Sequence, residues 1–156
     1  MPETVGGIPL HPLVVHGAVV LVPLAALGVI VLALVPRWRS QYSVLAFLLA
    51  LAATVNVQIA KMTGETFEDN FGEVPKIERH AELGDVMLWF TLPLFAASIV
   101  IWWLGRRAKN ERPLSSGLAI LLSVLCIVAA SAALVQVIRV GHSGADAVWS
   151  GTVSNG

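Results

Sequence analysis

The sequence predicts an all-α integral membrane protein, a four-helix bundle whose helices cross the bilayer antiparallel, up-down-up-down. Charged residues make up only 13% of the 156 residues, about half of the share that soluble domains carry. The mean hydropathy is +0.79, and the few charges are confined to short blocks between long apolar runs. A single transmembrane domain over residues 1–156 is therefore expected.

Four apolar windows are long enough for a transmembrane helix, which takes about 20 residues. They are predicted at residues 12–35, 42–62, 77–104 and 114–140. The first opens on Pro12, which the first helical turn tolerates because its missing N–H would have no partner there. Pro23 and Pro93 lie inside the first and third windows, where kinks rather than breaks are expected. No repeat beyond the helix count is predicted.

The basic residues indicate the orientation of the chain. Six of the ten Lys and Arg residues lie in the loops after the first and third helices, namely Arg37, Arg39, Arg106, Arg107, Lys109 and Arg112. Short cytoplasmic loops are enriched in Lys and Arg, so the chain is predicted to be N-out and C-out. The acidic segment 63–79 is then expected to be an outward-facing loop that packs over the mouth of the bundle as a lid.

All four histidines fall at or near the outer ends of the predicted helices. His11 and His16 lie at the start of the first helix, His80 at the start of the third, and His142 just past the fourth. Further polar residues converge on the same level, namely Asn56, Glu82, Asp85 and Gln136. Polar side chains inside a bilayer are energetically unfavourable, so they face the bundle interior and often mark a functional site. We therefore expect an outward-facing polar cup built from all four helices.

This cup has two interpretations. Imidazole binds zinc, copper, iron and nickel, and two histidines from different helices can hold a haem b, so a haem or metal site for electron transfer is the preferred prediction. The predicted ligands are His16, as the most embedded, together with His80, His142 and, nearer water, His11; Asp85, Glu82, Gln136 and Asn56 are predicted to orient them. A metal ion is assigned to His16, His80 and His142. Alternatively, the cup is only hydrogen-bonded packing in a structural or accessory membrane subunit without a cofactor.

The sequence favours a binding protein over an enzyme. It contains no phosphate-binding loop and no CxxC pair, and His11 and His16 are five residues apart, whereas a zinc-protease helix needs two histidines four apart. The formal net charge of +0 gives no support for nucleic-acid binding. The predicted partners are the lipid bilayer and either a membrane redox partner or further copies of the chain. A transporter or proton relay, which would need an oligomer, is a third alternative.

Four stretches of the chain resemble an uncharacterised bacterial family of four-helix membrane proteins, a domain of unknown function with an HPxxVH opening motif. They are residues 11–16 (HPLVVH), 63–65 (TGE), 80–84 (HAELG) and 141–149 (GHSGADAVW). The family opening usually continues with Phe-Pro, where this chain has Gly17 and Ala18. The resemblance implies four transmembrane helices and a location in the bacterial inner membrane. Because some relatives are fused to electron-transfer domains, the resemblance also implies a role in redox chemistry.

Overall fold

The all-α class is confirmed by a computed structural model, which describes residues 4–5, 7–68, 75–111 and 114–149. Its α-helices are α1 (Leu10–Leu34), α2 (Arg39–Glu68), α3 (Pro75–Asp85), α4 (Met87–Lys109) and α5 (Ser116–Trp149). A 3-10 turn at Pro36–Trp38 joins α1 to α2. Before α1, the two-residue strands β1 (Thr4–Val5) and β2 (Ile8–Pro9) pair antiparallel.

Four segments of the described chain are long and apolar enough to cross a membrane, in agreement with the prediction. They are Leu10–Leu34, Pro36–Glu65, Ile77–Lys109 and Ser116–Ala147. The third comprises α3 and α4, which are separated by a break at Val86. There the N–H of Trp89 bonds to the carbonyl of Val86 at 3.0 Å, an i→i+3 contact that is tighter than the α-helical pattern. Pro23 and Pro93 lie inside helices that continue through them.

The segment 63–79 is more helical than the sequence predicts. α2 continues to Glu68 and α3 begins at Pro75, so both ends of the predicted loop are helical. Polar residues end an apolar span, but they do not end a helix: the stretch TGETFE contains no proline, and glutamate is a good helix former. The predicted lid depends on residues 69–74, which lie outside the described residues.

The last helix also continues beyond its predicted end. The sequence predicts a span over residues 114–140, whereas α5 runs to Trp149. The additional turns include His142, Ser143 and Gly144, so these residues are presented on a regular helical surface rather than on a tail. Their spacing from residues deeper in α5 is therefore set by helical geometry.

The helices pack around a core of small side chains. α1 and α4 each lie against both α2 and α5, so the cyclic order around the core is α1, α2, α4, α5. Among the described residues, six alanines of this core are fully buried, namely Ala25, Ala26, Ala50, Ala53, Ala130 and Ala133. Apolar association contributes little between helices in lipid, and small residues let the backbones approach closely enough for dispersion contacts. Larger apolar side chains such as Leu24 and Leu121 are exposed on the outer surface, where lipid would contact them.

Arg39 joins three helices at the end of the bundle that we call the arginine end, defined by Arg39, Arg106 and Arg107. Its side chain is buried, and its Nε donates to the carbonyl of Leu32 at 2.7 Å. Its Nη2 donates to the carbonyl of Ala33 at 2.7 Å and to Ser123 Oγ at 2.8 Å. The last carbonyls of a helix have no partner within it. Arg39 therefore caps the end of α1 and ties α1 and α2 to α5.

The other arginines of this end stack on aromatic rings. The guanidinium carbon of Arg106 lies 5.1 Å from the ring centroid of Trp102, and that of Arg107 lies 5.0 Å from the ring of Trp103. Cation–π contacts of this kind are favourable, and tryptophan is enriched where a bilayer meets water. The arginine end therefore has the composition of a membrane–water interface.

Candidate functional site

Two histidines face each other at the opposite end of the bundle, which we call the histidine end and define by His11, Thr63, His80 and Ser143. The ring centroids of His11 and His80 lie 6.4 Å apart, and the ring planes meet at 70°. His11 lies in the first turn of α1 and His80 in the middle of α3. Both residues are half-buried. The fold therefore brings together two imidazoles that the sequence separates widely.

The imidazole of His11 is oriented by the last turns of α2. Its Nδ1 lies 3.1 Å from the carbonyl oxygen of Ala60 and 3.3 Å from Thr63 Oγ1. A carbonyl oxygen can only accept a hydrogen bond, so Nδ1 carries the proton in this arrangement. In the neutral ring, Nε2 then holds the lone pair that can accept a hydrogen bond or bind a metal.

The imidazole of His80 is oriented in the same way by α5. Its Nδ1 lies 3.1 Å from Ser143 Oγ, and Ser143 Oγ donates to the carbonyl of Val140 at 2.9 Å. Because the hydroxyl proton is given to Val140, Ser143 Oγ accepts from the Nδ1–H of His80. The lone pair of the neutral ring is again on Nε2. Metal-binding histidines characteristically have their second ring nitrogen held in this way by a protein group.

Two glycines let the helices approach these rings closely. A Cβ placed at Gly64 would lie 3.0 Å from Cε1 of His11, and a Cβ at Gly144 would lie 3.0 Å from Cε1 of His80. Optimal contacts between carbon atoms are about 3.5–4.0 Å. Each imidazole therefore lies against bare helix backbone, where a larger residue would displace it.

This packing predicts the effect of alanine at three helical glycines. We expect Gly64→Ala and Gly144→Ala each to destabilise the protein by about 1–3 kcal/mol, because the added methyl group overpacks an imidazole. Gly84→Ala is the matched control, since a Cβ at this position of α3 meets nothing within 4 Å; its higher helix propensity should stabilise by about 0.5–1 kcal/mol. Thermal unfolding in detergent measures all three. Equal stability of the three variants would contradict the proposed contacts.

The remaining predicted ligands and carboxylates lie apart from this pair. His16 is exposed, and its Nδ1 lies 2.6 Å from a carbonyl oxygen one turn earlier in its own helix. His142 and Glu82 are exposed. Asp85 forms an ion pair with Lys61, with 3.1 Å between Oδ1 and Nζ. The structure thus brings together two of the four predicted ligands, His11 and His80.

The two predicted amides lie between helices. Gln136 is buried, and its Nε2 donates to the carbonyl of Leu83 at 3.0 Å. Asn56 lies against α1, where a Cβ at Gly17 would be 2.6 Å from Asn56 Nδ2. Asn56 Oδ1 is buried and has no hydrogen-bond partner within the part of the chain that the structure describes. The amides therefore contact helix backbone rather than the imidazole pair.

The donor set at the histidine end is small. Among the described residues, no group of three or more His, Cys, Asp and Glu side chains is placed to hold a metal ion. A structural zinc ion takes four protein ligands, which the pair of His11 and His80 does not supply. Two imidazoles do match the number of axial ligands of a haem iron. A bare ion at this pair would need further donors such as water.

The hydroxyl groups that orient the imidazoles are absent from the sequence prediction, which assigned this role to Asp85, Glu82, Gln136 and Asn56. Thr63 and Ser143 have this position in the structure. One signal in the sequence could have identified them: each is a hydroxyl residue followed directly by glycine, near the outer end of the second or the fourth span. The hydroxyl group accepts a hydrogen bond from the imidazole, and the glycine leaves space for the ring.

Comparison with known proteins identifies one family. A family model described as "Predicted membrane protein (DUF2231)" matches residues 7–156. No curated protein and no solved structure matches the chain significantly. The matched range includes all four candidate membrane spans and both histidines of the facing pair.

Proposed function

The chain belongs to the DUF2231 family of predicted membrane proteins. We propose that it binds a haem or a transition-metal ion between His11 and His80 for electron transfer. The spacing of the two rings is the observation that carries this proposal. Their centroids are 6.4 Å apart. Two imidazoles bound on opposite sides of one metal, at about 2.0–2.1 Å from nitrogen to metal, have ring centres roughly 6 Å apart.

The hydrogen bonds of the two rings support the same proposal. With Nδ1 of His11 directed to α2 and Nδ1 of His80 directed to α5, the lone pair of each neutral ring is on Nε2. A bound haem or copper ion would supply one-electron chemistry. The chain would hold the ligand nitrogens in one tautomer and restrict their motion through Thr63, Ser143 and the two glycines.

The second candidate is a structural or accessory membrane subunit, in which His11 and His80 only join helices. The hydrogen bonds themselves favour it, because each imidazole already links one helix to another. In this case the histidine end is a packed polar layer, and the function of the protein depends on the surfaces that it presents to lipid or to other membrane proteins.

The absorption spectrum and the metal content of the protein purified in detergent distinguish these candidates. We expect either a Soret band, as isolated or after addition of hemin, or iron or copper at about one equivalent per chain, since the facing pair forms a single site. A protein that stays colourless and metal-free after exposure to hemin and Cu²⁺ would exclude the binding function and leave the structural one.

We also propose that the histidine end faces away from the cytoplasm of a bacterium, in the plasma membrane. The arginine end carries most of the positive charge of the short loops, and such loops stay in the cytoplasm. A reporter that is active only in the cytoplasm, fused after Gly156, should therefore be silent. Strong activity of this fusion would reverse the orientation.

A further inference from the structure

The two imidazoles are held by two copies of one arrangement. In each, Nδ1 is hydrogen bonded to a hydroxyl residue near the end of the neighbouring helix, and this hydroxyl donates to the carbonyl three residues earlier, at 3.0 Å in α2 and 2.9 Å in α5. In each, the next residue is a glycine facing Cε1 of the ring. The equivalent residues are His11 and His80, Ala60 and Val140, Thr63 and Ser143, and Gly64 and Gly144. We call each set an imidazole clamp.

The equivalence continues along α2 and α5. Ser143 follows Thr63 by 80 residues, and the same interval relates identical buried residues deeper in the two helices: Ser43 and Ser123, Ala50 and Ala130, Ala53 and Ala133. Val57 and Val137 are a further such pair. Burial at intervals of three and four residues is common to all bundle helices, but identity of the residues is not. The two helices therefore share more residues at equivalent positions than the helix count alone predicts.

The first helices of the two halves correspond as well. His80 follows His11 by 69 residues, and this interval relates buried residues of α1 to buried residues of α4: Ala18 and Met87, Val22 and Thr91, Ala25 and Leu94, Val29 and Ser98, Leu32 and Ile101. α1 and α4 lie at opposite corners of the bundle, as do α2 and α5. A two-fold axis along the centre of the bundle would exchange both pairs and would bring His80 to the place of His11.

The two amides fit the same relation and show how the halves differ. Asn56 and Gln136 are 80 residues apart. Asn56 lies against Gly17, and the residue 69 positions after Gly17 is Val86, where α3 and α4 are separated. In the second half the helix is broken at Val86, and Gln136 bonds to the carbonyl of Leu83 beside the break. In the first half α1 is continuous. Asn56 Oδ1 lacks a partner in the described chain, whereas Gln136 Oε1 accepts from Arg139 Nη1 at 3.3 Å. The residue 80 positions before Arg139 is Ile59, which has no side-chain donor.

From these correspondences we infer that the bundle is two copies of one helix-hairpin unit, related by an approximate two-fold axis, and that each unit supplies one imidazole clamp to a shared site on that axis. A ligand held between His11 and His80 would be bound by one clamped imidazole from each half. A haem or a metal ion that accepts two imidazole ligands would fit such a site. The class of ligand rests on the proposed function, whereas the repeat does not. Thr63 and Ser143 are positioning residues that act through the imidazoles.

Exchange of equivalent segments within the full-length chain tests the repeat. Residues 43–57 and 123–137 are exchanged in register, and the product should stay monodisperse in detergent with a melting temperature close to that of the wild type. The matched control exchanges residues 43–57 with 124–138. This shift by one residue rotates the small buried side chains by about 100° away from the core, and the control should aggregate or melt far lower. An in-register exchange no more stable than the shifted one would overturn the repeat.

Variants of the two hydroxyl residues test the shared site. With hemin or Cu²⁺ as the probe, Thr63→Val and Ser143→Ala should each weaken binding by a similar factor, about 10-fold or more, as for other residues that orient a ligand imidazole. The single variants Thr63→Ser and Ser143→Thr should bind the probe as the wild type does, since each places the hydroxyl residue of one clamp in the other. A loss confined to one half would overturn the equivalence of the clamps. A wild-type protein that binds neither probe would contradict the proposed function. The segment exchange would still test the repeat, because it measures stability and not binding.

Discussion

Arg39→Leu should destabilise the bundle by roughly 2–5 kcal/mol, because it leaves buried acceptors without donors. Arg39 is 6% exposed, and its guanidinium donates to the carbonyls of Leu32 and Ala33 and to the hydroxyl of Ser123. Leucine fills much of the same volume but supplies no N–H. We expect the largest change at the end of α1, whose last carbonyls would then be unpaired away from water.

The matched control is Arg37→Leu in the same short connection. Arg37 is exposed, and its guanidinium carbon lies 5.7 Å from the ring centroid of Trp38, so its removal should cost less than about 1 kcal/mol. Arg39→Lys should recover only part of the stability, because one ammonium group cannot reproduce the planar fork of donors. The free energy of unfolding in mixed detergent micelles measures these differences. If Arg39→Leu and Arg37→Leu prove equally stable, Arg39 does not cap α1.

His11→Ala and His80→Ala should each abolish most of the haem or metal binding, whereas His16→Ala should leave it unchanged. If both imidazoles bind one metal, either substitution removes half of the protein ligands, and we expect affinity to fall by at least about 100-fold. Removal of an orienting residue alone costs about 10–100-fold. His16 is exposed and bonded within its own helix, so it serves as the control for loss of a histidine near the start of α1.

Titration of the purified variants with hemin and with Cu²⁺, followed by absorbance and bound-metal analysis, decides this prediction. Loss of binding in His16→Ala with full retention in His11→Ala would place the site one turn deeper, where the sequence alone puts it. Retention in both His11→Ala and His80→Ala, by a wild type that does bind, would show that the ligand lies elsewhere. The circular dichroism of each variant checks that its helices are intact.

The membrane spans follow from the sequence, but the ends of the helices do not. Long apolar runs must cross the bilayer as helices, since no other local structure satisfies their backbone groups there. Hydropathy marks where lipid gives way to water, whereas a helix ends where its backbone loses its hydrogen bonds. The stretch TGETFE after Met62 and the stretch GHSGADAVW after Val140 are polar yet helical. The predicted loop and the predicted end of the last span fail at these places for that reason.

The apolar runs and the positions of histidine and arginine along the chain predict a helical membrane bundle with its histidines at one end and most of its loop arginines at the other. Which of these residues join helices depends on how the helices pack. Arg37 and Arg39 occupy one short connection, yet only Arg39 reaches the free carbonyls of α1. His11 and His16 are five residues apart, about 140° around a helix, so they cannot both face the bundle axis. Gly64 of α2 leaves room for the ring of His11 of α1. The sequence around His11 does not contain this glycine, so it cannot indicate that His11 rather than His16 faces the axis.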